Sequence, residues 1–355
     1  MQSELFAVLH RTLGGRMNAA RIKFFGLFIC ALCRVQTVCF EKLSCAFDTP
    51  VERGSSLRRI QRFMAEYVLD SDLIAKMIFA LLPHRPPYTL ALDRTSWRFS
   101  TTCVNVLMLA VVYHGVAFPL LFSLLDKRGN SSTDERIALV ERYIRLFGRE
   151  QIESLVADRE FVGSRWVEWL NLGIAYHIRI RNNFMVSDPR TGKTVPAWWL
   201  FNGVPQGQVR VLERLVRVGG QLCYLSGSKT RNKQGKLEYQ ILASFNKPDR
   251  ANTTYKERWQ IEMTFKALKS SGFNIEDTHL NHLDRIEKLL LMVIVAFTWA
   301  YRIGIHVHRN IKPIRSLKHG YKAKSIFKYG LETILSCLLN NYNSKLYKIY
   351  QIFVM

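Results

Sequence analysis

Tyr88-Thr-Leu-Ala-Leu-Asp93-Arg94-Thr95 is a short apolar run that closes on a carboxylate. Its leucines, tyrosine and threonine favour a strand, and the charge falls where the run ends. The pattern recurs downstream in Ile152-Glu-Ser-Leu-Val-Ala-Asp158-Arg-Glu-Phe161. In an open α/β sheet, the C-terminal ends of strands are where ligand sites are built. Working outward, Val104 to Tyr113 and Val116 to Leu125 are two further β-prone runs with His114-Gly115 as the turn between them. Thr133 to Phe147 is amphipathic and is expected to be a helix opening on a Thr133-Asp134 cap. After Asp158 come a short helix around Trp166 to Leu170 and a strand over Ala175 to Arg181.

Three strands, a helix, a strand, a helix and a strand is the order of an RNase H-like domain. Other α/β folds also accommodate it, so the α/β class is the firmer inference. A third carboxylate lies in Tyr255-Lys-Glu-Arg-Trp-Gln-Ile-Glu-Met-Thr-Phe-Lys-Ala-Leu-Lys269. On a helical wheel with Tyr255 at zero, Arg258 falls at about 300°, Glu262 at about 340° and Lys269 at about 320°, a single narrow face. Ile261, Phe265 and Leu268 form an apolar stripe beside it that would press the helix onto a core. Taken singly, each aspartate is an ordinary turn residue and the charged face an ordinary solvated one. Together, Asp93, Asp158 and Glu262 form the three-carboxylate set that two-metal phosphoryl transfer requires. Hard oxygen ligands of this kind suit two magnesium or manganese ions.

Leu92-Asp-Arg-Thr95, Ala157-Asp-Arg-Glu-Phe161 and the Tyr255, Arg258, Glu262, Lys269 spacing resemble the bacterial insertion-sequence transposases of the DDE type. The similarity is to the cut-and-paste family whose Glu lies in a Tyr-Arg-Glu-Lys motif. It extends from about Ser55 to about Arg302 and includes Gly129-Asn-Ser-Ser-Thr133 followed by Glu135-Arg136. The resemblance implies catalysis by Asp93, Asp158 and Glu262 and contact of Tyr255, Arg258 and Lys269 with phosphates near the element's end. It further implies stacking of Trp259 on a displaced base, and recognition of the terminal inverted repeat by a small helical domain carrying Arg58, Arg59 and Arg62. The implied partners are double-stranded DNA, as terminal repeats and target, and a second copy in a homodimeric synaptic complex. The implied location is the bacterial cytoplasm, at the nucleoid.

Composition agrees with a polyanionic partner. The 355 residues contain 51 Lys and Arg against 28 Asp and Glu, a net charge of +23, and 48% hydrophobic residues, enough for a substantial core. The longest apolar runs, Phe24 to Cys33 and Leu289 to Tyr301, fall short of the ~20 residues needed to span a bilayer and read as buried helices, so no membrane partner is expected. The start, Met1-Gln-Ser-Glu-Leu5, lacks a basic region leading into an apolar one, so export is not expected. The cysteines sit mostly in apolar segments and fit a reducing compartment; Cys30-Ala-Leu-Cys33 has zinc-like spacing but no second pair. Phosphate-loop, zincin and serine-hydrolase motifs are missing from the sequence.

Residues 1–85 are expected to form a helical DNA-end-binding domain, in which Ser55 or Ser56 caps a helix opening at Leu57. Leu81 to Pro87, with three prolines, is a linker. Residues 86–302 are expected to form the RNase H-like catalytic domain, interrupted at about 183–245 by a β-rich insertion of antiparallel strands. That insertion carries a basic loop, Lys229 to Lys236, and Trp198-Trp199, which is either a base-stacking pair or part of a packed sheet face. Residues 303–355 are expected to form a basic helical C-terminal region with Lys312, Arg315, Lys318, Lys322, Lys324 and Lys328. Two other readings stay open on sequence alone: a catalytically silent DNA-binding relic or regulator, and an RNase H-like nuclease without strand transfer.

Overall fold

The structure is a computed structural model that describes residues 2–99, 102–127, 129–231, 234–246, 248–318 and 320–340. Of the expected features, Lys233 in the basic loop and residues 341–355 of the C-terminal region lie outside the described residues. In chain order the elements are α1 Gln2–Leu13, α2 Ala19–Val35, α3 Phe40–Cys45, α4 Arg53–Glu66, α5 Ser71–Ala80, β1 Tyr88–Phe99, β2 Thr102–Tyr113, β3 Val116–Leu125, α6 Thr133–Phe147, β4 Ile152–Ala157, α7 Ser164–Leu170 and β5 Tyr176–Ile180. There follow β6 Met185–Ser187, β7 Thr194–Pro196, β8 Val209–Val211, β9 Val216–Val218, β10 Gln221–Arg231, β11 Leu237–Ser244, α8 Ala251–Lys256, α9 Trp259–Lys269, α10 Leu283–Asn310 and α11 Ile326–Asn340. The fold is mixed α/β with one large sheet.

The chain divides into two compact units, one comprising Met1–Pro83, Ser96–Val104 and Phe265–Met355, the other His84–Thr95 and Asn105–Thr264. The first is helical apart from the strand residues it takes from β1 and β2. Its axis is α10, which packs against α2, α4, α5 and α11. By length and composition α10 is apolar enough to cross a membrane, longer than its apolar run alone suggested, but most of that stretch is buried inside the unit. Gly304 and Gly330 let α10 and α11 approach closely: a Cβ on Gly330 would collide with the Ala300 carbonyl, and one on Gly304 with the Ile326 carbonyl. Every residue from Phe24 to Cys33 is buried in α2. Burial pushes the Cys30 thiol up to about 12 and raises that of Cys33, which makes them inert core side chains. Helix α4 opens at Arg53, earlier than the Ser55 or Ser56 cap had suggested, and buried Ser56 lies inside it.

The second unit holds most of the strand residues. The sheet order is β3-β2-β1-β4-β5-β11-β10-β9-β6-β7, with β8 pairing to β10. Strands β1, β4 and β5 are parallel neighbours, and β2 and β3 form an antiparallel hairpin. Residues Tyr88 to Asp93 are all buried, as a central strand with both faces covered requires. Helix α6 begins where expected, but its cap is Ser132 rather than Thr133-Asp134. Ser132 and Glu135 form a reciprocal capping box, and Leu139, Val140 and Tyr143 face the core. The strands between β5 and α8 are antiparallel, and β11 bonds directly to β5, so they extend the main sheet and do not form a separate layer.

Candidate active site

The parallel ladder of β1 and β4 ends at the pair Leu92 and Ala157. The residue that follows each of these is an aspartate, so the register brings the backbones of Asp93 and Asp158 to the same end of the ladder. Strand β1 continues past Asp93 to Phe99, so the carboxylate marks the end of the ladder and not, as the apolar run implied, the end of the strand.

The stretch expected as one helix is two. Helix α8 stops at Lys256 and α9 starts at Trp259, joined by a tight turn in which Glu257 N–H bonds to the Thr254 carbonyl and Arg258 N–H to the Tyr255 carbonyl. Helix α8 packs on β4, β5, β10 and β11. Its Tyr255 is buried with Leu242 and Ala251, and the phenol donates to Asp158 Oδ1 at 3.1 Å. The turn tucks Arg258 into the interior, where it is 8% exposed. Its Nη1 donates to Asp93 Oδ2 at 2.9 Å and its Nη2 to Glu262 Oε1 at 2.6 Å. In α9, Thr264 Oγ1 donates to the Ala117 carbonyl of β3 at 2.7 Å, pinning the helix start that carries Glu262. Ile261, Phe265 and Leu268 are buried, as the apolar stripe required.

Five of the seven residues singled out around the triad therefore gather at the end of the β1 and β4 ladder: Asp93, Asp158, Tyr255, Arg258 and Glu262. Trp259 projects outward, 60% exposed. Lys269 belongs to the first unit and pairs there with Glu276 at 3.1 Å. Gln260 is half-buried, and its Oε1 has no hydrogen-bond partner among the described residues. In the helical unit Arg58 and Arg62 are exposed on α4, while Arg59 lies over the Phe24 ring at 5.9 Å. Arg59 and Arg62 line a cavity of about 330 Å³ with Arg21 and Tyr67. In the strand-rich unit Trp199 is 52% exposed beneath the Lys193 ammonium, and Trp198 lies near Tyr239.

Electrostatics mark the centre. Burial raises the Asp93 carboxyl to about 6, with Glu262 and Glu160 adding to the rise, while Arg258 and the Arg94 N–H oppose it. Burial alone would lower the Arg258 guanidinium, but Tyr255, Asp93 and the Glu262 bond reverse this and raise it. Burial also pushes the Tyr255 phenol up to about 12. The Asp93, Asp158 and Glu262 carboxylates are oxygen donors of the type a hard divalent cation takes, and a raised carboxyl among other acidic groups is where such a cation would be favoured. Among the described residues no three His, Cys, Asp or Glu side chains are drawn together tightly enough to hold an ion. Around Asp93 and Glu262 the counter-charge is the Arg258 guanidinium.

Beside this centre lies a group of side chains to which no local motif gives a role: Arg94, Asn105, Asn130, Arg136 and Glu160. Arg94 pairs with Glu160 through Nη2 at 3.1 Å and bonds to Asn105 and Asn130. The local signal was Asn105, a buried polar residue in an otherwise apolar strand.

Comparison with known proteins gives this geometry a family. No curated protein matches the chain. Among solved structures, one described as "Cryo-EM structure of piggyBac transposase synaptic complex with hairpin DNA (SNHP)" is similar at a TM-score of 0.49 and 14% identity, over 99% of this chain and 82% of that one. The family model described as "Transposase DDE domain" matches residues 84–299, more than half of the sequence. The chain belongs to the DDE transposase family.

Proposed function

We propose that this protein is the transposase of a bacterial insertion sequence of the cut-and-paste type with a Tyr-Arg-Glu-Lys motif. It binds the terminal inverted repeats of its element, cleaves the DNA ends by two-metal phosphoryl transfer and joins the freed 3′ ends to target DNA. The observation that carries the reading is the gathering of Asp93, Asp158, Tyr255, Arg258 and Glu262 at the end of the β1 and β4 ladder. The β3-β2-β1-β4-β5 order supports an RNase H-like core within residues 86–302, with 183–245 as its β-rich insertion. Residues 1–85 are assigned to DNA-end binding through Arg58, Arg59 and Arg62, and residues 303–355 to further DNA or subunit contact.

Asp93, Asp158 and Glu262 would hold magnesium or manganese, which supplies activation of a water or 3′-hydroxyl and stabilisation of the leaving 3′-oxygen. The chain's own residues do the positioning. Tyr255 orients Asp158 through its phenol, and Arg258 neutralises Asp93 and Glu262 until phosphate arrives as an alternative partner. Lys269 would add a cation for phosphate, and exposed Trp259 a face on which a displaced base can stack. Such a protein acts as a homodimer in a synaptic complex, in the bacterial cytoplasm at the nucleoid. The test is incubation of purified protein with DNA carrying its flanking terminal repeats and magnesium. Cleavage at the repeat tips is expected; binding without cleavage would favour a silent relic instead.

A further inference from the structure

The β1 and β4 ladder ends at Leu92 and Ala157, so the two aspartates beyond it are spaced by side chains and not by backbone pairing. Each is followed closely by one half of an ion pair. Arg94 Nε and Nη2 donate to Glu160 Oε1 and Oε2 at 3.2 and 3.1 Å, a two-pronged contact. Arg94 Nη1 donates to Asn105 Oδ1 at 3.0 Å, and Nη2 also reaches Asn130 Oδ1 at 3.3 Å. The Arg94 backbone N–H donates to Asp93 Oδ1 at 2.8 Å, so the residue that grips Glu160 also orients the first aspartate.

Glu160 is held from behind. Arg136 is 5% exposed, donates to Ser131 Oγ at 2.9 Å and to the Ser131 and Glu160 carbonyls at 2.7 and 3.2 Å, and lies over the Phe161 ring at 5.0 Å. The Gly129 to Thr133 motif and Arg136 thus converge on the loop that follows Asp158. An exposed Arg–Glu pair would contribute little. Here the Arg94 and Glu160 side chains are only 16% and 24% exposed, the contact is two-pronged, and both partners are anchored again.

We infer that Arg94 and Glu160 are positioning residues that fix Asp93 against Asp158, with Asn105, Asn130 and Arg136 holding the pair in place. The inference rests on the assignment of those aspartates as ion-holding carboxylates. Two carboxylates repel each other, so without an external brace they drift apart and the spacing a cation needs is lost. Loss of groups that orient metal-holding side chains typically weakens metal binding by about 10–100-fold.

The test measures Mn2+ binding to the full-length protein by electron paramagnetic resonance, together with the Mn2+ dependence of single-turnover cleavage. Arg94→Ala is expected to weaken Mn2+ binding by about tenfold and to raise the half-saturating ion concentration to match. Arg94→Lys, which keeps the charge but offers one prong, should fall between. A purely structural pair would lower the melting temperature and leave Mn2+ binding of the folded protein unchanged. Should Arg94→Ala not fold, Glu160→Gln carries the same measurement in a nearly isosteric side chain. Mn2+ binding within about twofold of wild type in either folded variant overturns the brace. Asp158→Asn measured in parallel separates the two layers. If Asp158→Asn loses Mn2+ binding while Arg94→Ala retains it, only the brace fails; if Asp158→Asn binds normally, the carboxylate assignment fails and takes the brace with it.

Discussion

Arg258 lies 2.9 Å from Asp93 in a pair whose side chains are 9% and 11% exposed, and its other nitrogen lies 2.6 Å from Glu262. One guanidinium is therefore the counter-cation of two carboxylates, and a divalent ion bound there would compete with it for the same oxygens. Arg258→Ala is expected to bind Mn2+ severalfold more tightly than wild type in the absence of DNA, yet to cleave more slowly. In chelator it should lose roughly 3 kcal/mol of stability, the cost of leaving buried charge uncompensated. Added Mn2+ should restore much of that loss by binding only the folded state. Paramagnetic resonance and thermal melting with and without ion check this; unchanged ion affinity would mean that Arg258 does not compete.

The surface around the centre should respond unevenly. Lys256 is exposed and Lys256→Ala should alter stability by no more than about 0.5 kcal/mol and leave cleavage intact. Lys269→Ala removes an exposed partner of Glu276 and should also be nearly neutral for stability, but it should slow cleavage if the ammonium meets phosphate. Single-turnover rates at saturating ion and DNA distinguish the two. Gln260, half-buried with a buried amide oxygen, is not a suitable neutral control.

On α4, Arg58 and Arg62 are exposed, whereas Arg59 rests on Phe24. Arg58→Ala and Arg62→Ala should each weaken binding to the terminal repeat and reduce its salt dependence by about one unit of slope for every phosphate no longer neutralised. Arg59→Ala should additionally destabilise the helical unit by uncovering an aromatic ring. Fluorescence anisotropy across a salt series measures the slope; an unchanged slope would make this a solvated face.

Thr264 fixes α9 to β3 through a fully buried hydrogen bond to the Ala117 carbonyl. Thr264→Val keeps the shape but strands that carbonyl, so a loss of about 1–3 kcal/mol is expected, together with slower cleavage as Glu262 loses its fixed position. Denaturant melts of the two proteins give the first quantity; equal stability would show that the bond is dispensable.

What could be read from the sequence was what local pattern encodes. The run Val116 to Leu125 became a strand with those bounds, Thr133 to Phe147 a helix with those bounds, and the apolar stripe Ile261, Phe265, Leu268 the buried side of α9. The turn at Glu257 and Arg258 was not legible, since no glycine or proline interrupts the stretch. The break carries Arg258 to Asp93, 165 positions away, and no local pattern encodes that pairing. The Arg94 and Glu160 pair was hidden for the same reason, its partners 66 positions apart. The extension of the sheet from β5 into β11 was likewise set by pairing across the fold and not by strand propensity.

The proposed carboxylate ligands predict an ion preference. Magnesium and manganese should support cleavage, whereas calcium, with longer bonds and looser geometry, should permit DNA binding with little chemistry. Gel analysis with each ion in turn checks this, and full activity in excess chelator would remove the two-metal reading.

Whether Asp93, Asp158 and Glu262 act as one catalytic set is tested most directly by single-turnover cleavage of a terminal-repeat duplex by Asp158→Asn in saturating magnesium. Asp158 is the informative member because its carboxylate accepts from a neutral phenol, so its amide variant should disturb the fold less than changes at Asp93 or Glu262, which Arg258 ties together. The expected result is binding equal to or tighter than wild type with no detectable end cleavage, matched by Asp93→Asn and Glu262→Gln. Cleavage by Asp158→Asn at the wild-type rate would contradict the assignment.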